Sequence, residues 1–147
     1  MDQKVKILWV DDEIDLLKPH ILFLESKGYE VVTASNGRDA LDIVKNQQVS
    51  IIFLDENMPG LSGNDLIARV RAKRPKLPIL ILSMHNTAQI GMAAIKAGAN
   101  GYVTKDSEPT VLIEAIRKVA AGGRYIAPQM AQAIALYSSS EPSGRAH

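Results

Sequence analysis

Polar side chains that can do chemistry follow four apolar segments of this 147-residue sequence. They are, in chain order, Asp11 and Asp12, Asp55, Ser83 and Lys105. Carboxylates that converge on one pocket repel one another, and a cation bound among them relieves that repulsion. An all-oxygen site with room for water or phosphate oxygens suits Mg²⁺. With such a metal bound, one carboxylate can act as a nucleophile toward a phosphoryl group.

The elements that must position these residues alternate regularly along the chain. Apolar strand-like segments are each followed by a helical pattern up to residue 122, which gives five strands and five helices. Strict alternation favours a parallel sheet with helices on both faces, connected by right-handed crossovers. The third and fourth segments (50–55 and 77–83) are almost continuously apolar, as expected of strands buried on both faces. The predicted fold is therefore a doubly wound α/β domain.

The strand order decides whether the polar residues meet. Open parallel sheets bind ligands beyond the carboxyl ends of their strands, at a topological switch point. In the flavodoxin-like order 2-1-3-4-5, the first and third strands are neighbours, so Asp11, Asp12 and Asp55 would share one pocket. Ser83 would then donate a hydrogen bond to a phosphoryl oxygen, and the Lys105 ammonium would offset its charge. This arrangement predicts a phospho-acceptor site.

Each of these residues also has a structural explanation. An Asp-Asp pair before a helix is often an N-cap with a favourable position in the helix dipole. Asp55 could begin a turn, and Ser83 and Lys105 taken singly are ordinary loop residues. Their joint occurrence at the predicted strand ends is what favours a functional site.

Composition excludes several other classes of protein. Seventeen basic and sixteen acidic residues leave a net charge of +1, so no strong field for nucleic acid is present. The absence of cysteine excludes disulfides and thiolate metal sites. No apolar segment approaches the roughly 18 residues that span a bilayer, and the N-terminus is unlike a signal peptide. We therefore expect a cytoplasmic protein with no membrane or nucleic-acid contact through this chain.

The pattern changes near the C-terminus. We predict that residues 1–122 form the domain and that 123–147 form an appended segment. That segment has one extra C-terminal helix from Pro128 to Tyr137, followed by a Ser/Pro/Gly-rich stretch with the composition of a linker.

Four motifs together resemble the receiver domain of bacterial two-component response regulators. They are "VDDE" at 10–13, "LDENMPGLSG" at 54–63, "ILS" at 81–83 and "GYVTK" at 101–105. The resemblance covers about residues 4 to 122. It implies a signalling switch, and not an enzyme with a separate substrate, whose phosphoryl donor is the phosphohistidine of a sensor histidine kinase.

The resemblance also assigns roles to residues. Asp55 would be the phosphorylated aspartate, and Lys105 would contact the phosphoryl group. Asp12, Asp55 and the backbone carbonyl of Asn57 would hold Mg²⁺, with Asp11 close by or bound through water. Ser83 and Tyr102 occupy the two switch positions, whose rearrangement would change the surface of helix four, strand five and helix five and could favour a homodimer.

Other motifs indicate to which branch of the response regulator family the sequence is most similar. "LSMH" and "GGRYIAP" resemble the NarL/FixJ branch, whose members carry a C-terminal helix-turn-helix DNA-binding domain that we do not find in this sequence. Asp106 stands where many receivers have proline after the lysine.

Two alternative functions stay open. One is a Mg²⁺-dependent phosphatase of the haloacid-dehalogenase type, but Asn57 stands where those enzymes have their general acid. The other is a pseudo-receiver, a folded interaction module that no longer accepts phosphate.

Overall fold

Six strands and five α-helices alternate in the part of the chain that the structure describes. The structure is a computed structural model, and it describes residues 5–55, 63–83, 88–104, 108–126, 131–132 and 135–136. The strands are β1 Lys6–Val10, β2 Glu30–Ala34, β3 Ile51–Asp55, β4 Ile79–Ser83, β5 Gly101–Thr104 and β6 Tyr125–Ile126. The helices are α1 Lys18–Ser26, α2 Gly37–Asn46, α3 Gly63–Lys73, α4 Ala88–Ala97 and α5 Pro109–Ala120.

The strands form one parallel sheet in the order β2-β1-β3-β4-β5-β6. The predicted α/β class and the order 2-1-3-4-5 are confirmed for the first five strands. The predicted count of five strands was wrong, because β6 pairs with β5 at the edge of the sheet. A strand of two residues is too short to show a periodic pattern, so it could not be recognised from the sequence.

Gly101 allows β6 to approach the sheet. A Cβ atom at this position would lie 2.6 Å from the carbonyl oxygen of Tyr125 and 2.6 Å from Leu80 Cδ1. The Tyr125 amide donates to the carbonyl of Asn100 at 3.0 Å. Residues that we assigned to the appended segment thus complete the sheet. Residues 131–132 and 135–136 are helical, within the predicted range 128–137, and the remainder of that range lies outside the described residues. The boundary after residue 122 stays a prediction.

Helices cover both faces of the sheet, as predicted. Buried residues of α2, α3 and α4, among them Val44, Val70 and Ala94, pack on one face. Buried residues of α1 and α5, including Leu24 and Ile116, pack on the other. None of the helices in the described segments has the length and apolar content that crossing a bilayer requires.

Helix α1 begins later than its apolar periodicity suggests. Residues Ile14–Leu17 form a 3₁₀ turn, and the α-helix starts at Lys18, so Pro19 lies in its first turn. Proline is tolerated there because the N–H groups of the first turn have no partner within the helix. The helix ends at Ser26, and Gly28 follows it with a φ of +95°, which suits glycine and lets the Tyr29 amide donate to Leu24 O.

Arg71 of α3 joins three parts of the α2–α4 face. Its guanidinium donates to the carbonyl of Gly98 at the end of α4, to Leu77 O before β4, and to Asn100 Oδ1 before β5. Burial lowers the pKa of Arg71 from its ordinary value. Hydrogen bonds to three acceptors compensate for that loss of hydration, so Arg71 fixes α3 against the turn that precedes β5.

Candidate functional site

The carboxyl ends of β1 and β3 bring two acidic side chains onto one face of the sheet. Val10 pairs with Leu54, so the next residues of the two strands, Asp11 and Asp55, lie side by side. Each stands two residues after an aromatic residue, Trp9 or Phe53, and those two rings pack edge to face at 5.0 Å. Since side chains alternate along a strand, Asp11 and Asp55 continue the same face as these rings. The apolar strand pattern thus determines where the carboxylates lie.

Three carboxylates form what we call the acidic cluster: Asp11, Asp12 and Asp55. One oxygen atom from each lies within 4.8 Å of the others. Asp11 is fully buried and Asp55 is 4% exposed, whereas Asp12 is exposed to solvent. Two like charges held near each other and away from water destabilise the fold, and a divalent cation offsets that repulsion. The predicted convergence of the three carboxylates is therefore confirmed.

Backbone groups hold Asp11 in place, and their role was not predicted from the sequence. The Asp11 amide donates to Ala34 O of β2 at 3.0 Å, and one of its carboxylate oxygens accepts from the Glu13 amide at 2.8 Å. An aspartate that accepts from the backbone two residues later forms an Asx turn. The acidic pair before a turn was the available signal for it, but the structural alternative that we considered for that pair was a helix N-cap and not an Asx turn.

The acidic cluster fits Mg²⁺ by the chemistry of its donors. All three side chains offer carboxylate oxygens, which Mg²⁺ prefers, and soft or nitrogen ligands are absent from the cluster. Asp12 is exposed to solvent, so water or phosphate oxygens could supply the remaining ligands of a bound Mg²⁺.

Ser83 lies at the same sheet edge, one strand farther along. It is the last residue of β4, which pairs with β3, and its side chain is fully buried. Ser83 pairs with Thr104 of β5, while Asp55 pairs with Leu82. The predicted position of the hydroxyl at the end of β4 is thus observed.

Tyr102 lies within the sheet and not at its edge. It pairs with Ile81, is fully buried, and belongs to the same core as Ala94 of α4 and Ala99, which follows α4. The Tyr102 ring therefore lies on the side of the sheet that α2, α3 and α4 cover. Its switch role stays a prediction.

Asn57 and Lys105 lie outside the described residues. Their predicted roles, as a carbonyl ligand of the metal and as the phosphoryl-contacting ammonium, therefore stay predictions.

Sequence comparison identifies the family. The family described as "Response regulator receiver domain" matches residues 7–117. The chain belongs to this family. The chain is 32% identical over 137 residues to the response regulator GacA of Pseudomonas aeruginosa, and the match covers 91% of this chain and 64% of GacA. It is 39% identical over 106 residues to the nitrate/nitrite response regulator NarP of Escherichia coli, covering 71% of this chain and 49% of NarP.

The relatives also confirm the branch. GacA and NarP are response regulators of the NarL/FixJ type, as the resemblance implied. A crystal structure of a LuxR-family two-component response regulator from Aurantimonas superposes on the receiver domain with a TM-score of 0.87 and 32% identity. That match covers 93% of this chain and 99% of the solved chain. The chain spans less than two thirds of the length of GacA and of NarP.

Proposed function

We propose that this receiver domain is a phosphorylation-activated switch in which Asp55 accepts a phosphoryl group from the phosphohistidine of a sensor histidine kinase. The observation that supports this most is the acidic cluster at the switch point of the sheet, with two of its three carboxylates buried. Packing alone does not favour buried like charges, so a ligand that uses them explains their presence.

The position of Asp55 favours it as the nucleophile. It ends the central strand β3, with the other two acidic residues beside it after β1 and the Ser83 hydroxyl on β4. Asp11 is held by the Glu13 amide, and Asp12 is the exposed member of the cluster. In the reaction an Asp55 oxygen bonds to phosphorus while the phosphorus–nitrogen bond of phosphohistidine breaks. The electron pair of that bond stays on the imidazole nitrogen.

The metal and the neighbouring side chains have separate roles in this proposal. Asp11, Asp12 and Asp55 would hold Mg²⁺, together with the backbone carbonyl of Asn57. When bound, Mg²⁺ supplies positive charge that neutralises the phosphoryl oxygens. Ser83 donates a hydrogen bond to one of those oxygens, and Lys105 offsets the charge of another. The domain thereby promotes only its own phosphorylation and dephosphorylation.

The proposed output is a change in the surface formed by α4, β5 and α5. Side chains alternate along β4, so Ser83 lies on the same face as Ile81, whose strand partner is Tyr102. A movement of Ser83 toward the phosphoryl group alters the space next to the Tyr102 ring beneath α4. A phosphorylation-dependent homodimer and a cytoplasmic location of this domain belong to the same proposal.

Intact-mass measurement after incubation with acetyl phosphate and Mg²⁺ tests the proposal. The wild type should gain one phosphoryl group, and Asp55→Asn should gain none. Asp42→Asn, which removes an exposed carboxylate of α2 outside the cluster, should behave like the wild type. A wild type that gains no mass would support the pseudo-receiver alternative, and a modified Asp55→Asn variant would show that the acceptor is another residue.

A further inference from the structure

A groove of about 540 Å³ lies between α2 and α3, on a different side of the molecule from α1 and α5. Four basic side chains line it, two from each helix: Arg38, Lys45, Arg69 and Lys73. All four are exposed to solvent. Among the described residues that line this basic groove, Asp42 is the one acid. The groove thus concentrates positive charge in a chain whose net charge is only +1.

The spacing of the cations along the two helices defines two rows. Arg69 and Lys73 are one helical turn apart, which separates them by about 6 Å. Arg38 and Lys45 are two turns apart, which separates them by about 10 Å along α2. In an extended peptide, alternate side chains repeat at about 6.6 Å. The row on α3 therefore matches the spacing of alternate acidic side chains in an extended segment.

A hydrogen bond between the walls fixes the width of the basic groove. Arg74, which follows α3, donates through two guanidinium nitrogens to the carbonyl of Val44 in α2, at 3.0 and 3.2 Å. The buried side chains of Val44 and Val70 pack in the same core beneath it. The two rows of cations are consequently held at a set separation before any partner binds, which lowers the entropic cost of binding.

We propose that the basic groove binds an acidic, extended peptide segment of a partner protein. Charge complementarity supports an acidic partner, because four cations surround one carboxylate. The half-buried side chain of Leu41 also lines the groove, so it offers apolar contact to a peptide with interspersed apolar residues. The near-neutral whole chain lacks the long-range positive field that nucleic-acid binding uses, which favours a peptide over a nucleic acid. Binding in the basic groove does not require phosphorylation of Asp55.

Fluorescence anisotropy with a labelled peptide tests this inference. The probe alternates glutamate and leucine over about eight residues, long enough to follow the row on α2. It should bind the wild type at low ionic strength and bind less well as salt screens the exposed charges. The same peptide with glutamine in place of glutamate should not bind.

Two double variants locate the site. Arg69→Gln/Lys73→Gln and Arg38→Gln/Lys45→Gln should each weaken binding about three- to tenfold, as expected for the loss of two exposed charge pairs. Arg117→Gln/Lys118→Gln is the matched control, since it removes two exposed cations from α5 on the opposite face and should change affinity less than about twofold. Circular dichroism verifies that each variant is folded.

Three results would overturn the inference. The first is a wild type that does not bind the glutamate peptide at low salt. The second is an equal loss of affinity in the α5 control, which would show attraction to net charge and not to the basic groove. The third is tighter binding of a DNA duplex of about 20 base pairs through the same four cations, which would assign the groove to nucleic acid.

Discussion

Replacing Asp55 by asparagine should stabilise the metal-free protein. Asp11 and Asp55 carry buried carboxylates with oxygen atoms within 4.8 Å of each other. At an effective dielectric constant of about 20, two unit charges at that separation repel by about 3.5 kcal/mol. Asparagine has nearly the same shape and no charge. Since the exposed Asp12 is better screened by solvent, we expect a net gain of about 1–3 kcal/mol in the free energy of unfolding, mostly from the Asp11–Asp55 pair.

Urea unfolding with and without Mg²⁺ measures this effect. The fluorescence of Trp9 reports on folding, because it is the single tryptophan of the chain and is buried against Phe53. In excess EDTA, the midpoint of Asp55→Asn should lie above that of the wild type. At a Mg²⁺ concentration about 100 times its dissociation constant, the wild type should gain about 2.7 kcal/mol. Asp55→Asn should gain much less stability from Mg²⁺. The variant should therefore be more stable than the wild type in EDTA but equally or less stable in Mg²⁺.

Asp42→Asn is the matched control for both measurements. It removes an exposed carboxylate from α2 whose attraction to the cations of the basic groove is screened by solvent, so it should change the stability in EDTA by less than about 0.5 kcal/mol and leave the Mg²⁺ response unchanged. If Asp55→Asn were less stable than the wild type in EDTA, other interactions of Asp55 would outweigh the repulsion within the acidic cluster. If Mg²⁺ stabilised Asp55→Asn as strongly as the wild type, the metal would bind elsewhere.

Three further predictions concern the framework of the domain. Arg71→Met should lower the free energy of unfolding, measured by urea titration, by about 2–4 kcal/mol, because it leaves several backbone acceptors without their charged donor. Arg69→Met is the control: Arg69 is exposed, so its replacement should change the free energy of unfolding by less than about 0.5 kcal/mol. Gly101→Ala should lower the thermal stability more than Gly122→Ala, because a Cβ at Gly101 would meet Tyr125 O and Leu80 at 2.6 Å. Gly122 has open space around it, and alanine there would cost only the strain of its φ of +93°, about 1–2 kcal/mol. Equal losses of stability in the two variants would contradict this reasoning. Burial, and then the Glu114 carboxylate and its hydrogen bond, raise the pKa of Tyr125. The neutral phenol therefore stabilises the fold below about pH 10, and that contribution is lost as pH rises further. Glu114→Gln should make this loss smaller and complete it at a lower pH, and an unchanged profile of stability against pH would refute the assignment.

Much of the site could be predicted because strand ends have strong sequence signals, whereas the order 2-1-3-4-5 was taken from the flavodoxin-like type of fold. The five residues of β3 and of β4 are all buried, and their continuous apolar segments indicate this directly. Once parallel strands are arranged in the order 2-1-3-4-5, the residues that follow β1 and the residue that ends β3 must meet at one edge of the sheet. The convergence of Asp11, Asp12 and Asp55 therefore follows from alternation and order, without knowledge of any side-chain distance.

The features that were missed depend on tertiary contacts between irregular segments. Strand β6 forms because a glycine in β5 leaves room for a backbone, and two residues show no periodicity. The acceptors of Arg71 are mostly backbone carbonyls, which are identical at every position of a sequence. Only the fold brings Leu77 and Gly98 together around one guanidinium. Nothing in the pattern of α3 distinguishes Arg71 from the exposed Arg69 two residues earlier.

The residues at the carboxyl ends of β1, β3 and β4 belong to both faces of the sheet. Asp11 and Asp55 continue the face of Trp9 and Phe53, which α1 and α5 cover. Ser83 continues the face of Ile81, which α4 covers together with Tyr102. If a phosphoryl group on Asp55 attracts the Ser83 hydroxyl, it would connect one side chain from each face of the sheet, at the neighbouring ends of β3 and β4. Because neighbouring parallel strands present their ends at the same edge, a local change in charge would, in the proposed switch, reach both helical layers without any long-range displacement of the strands.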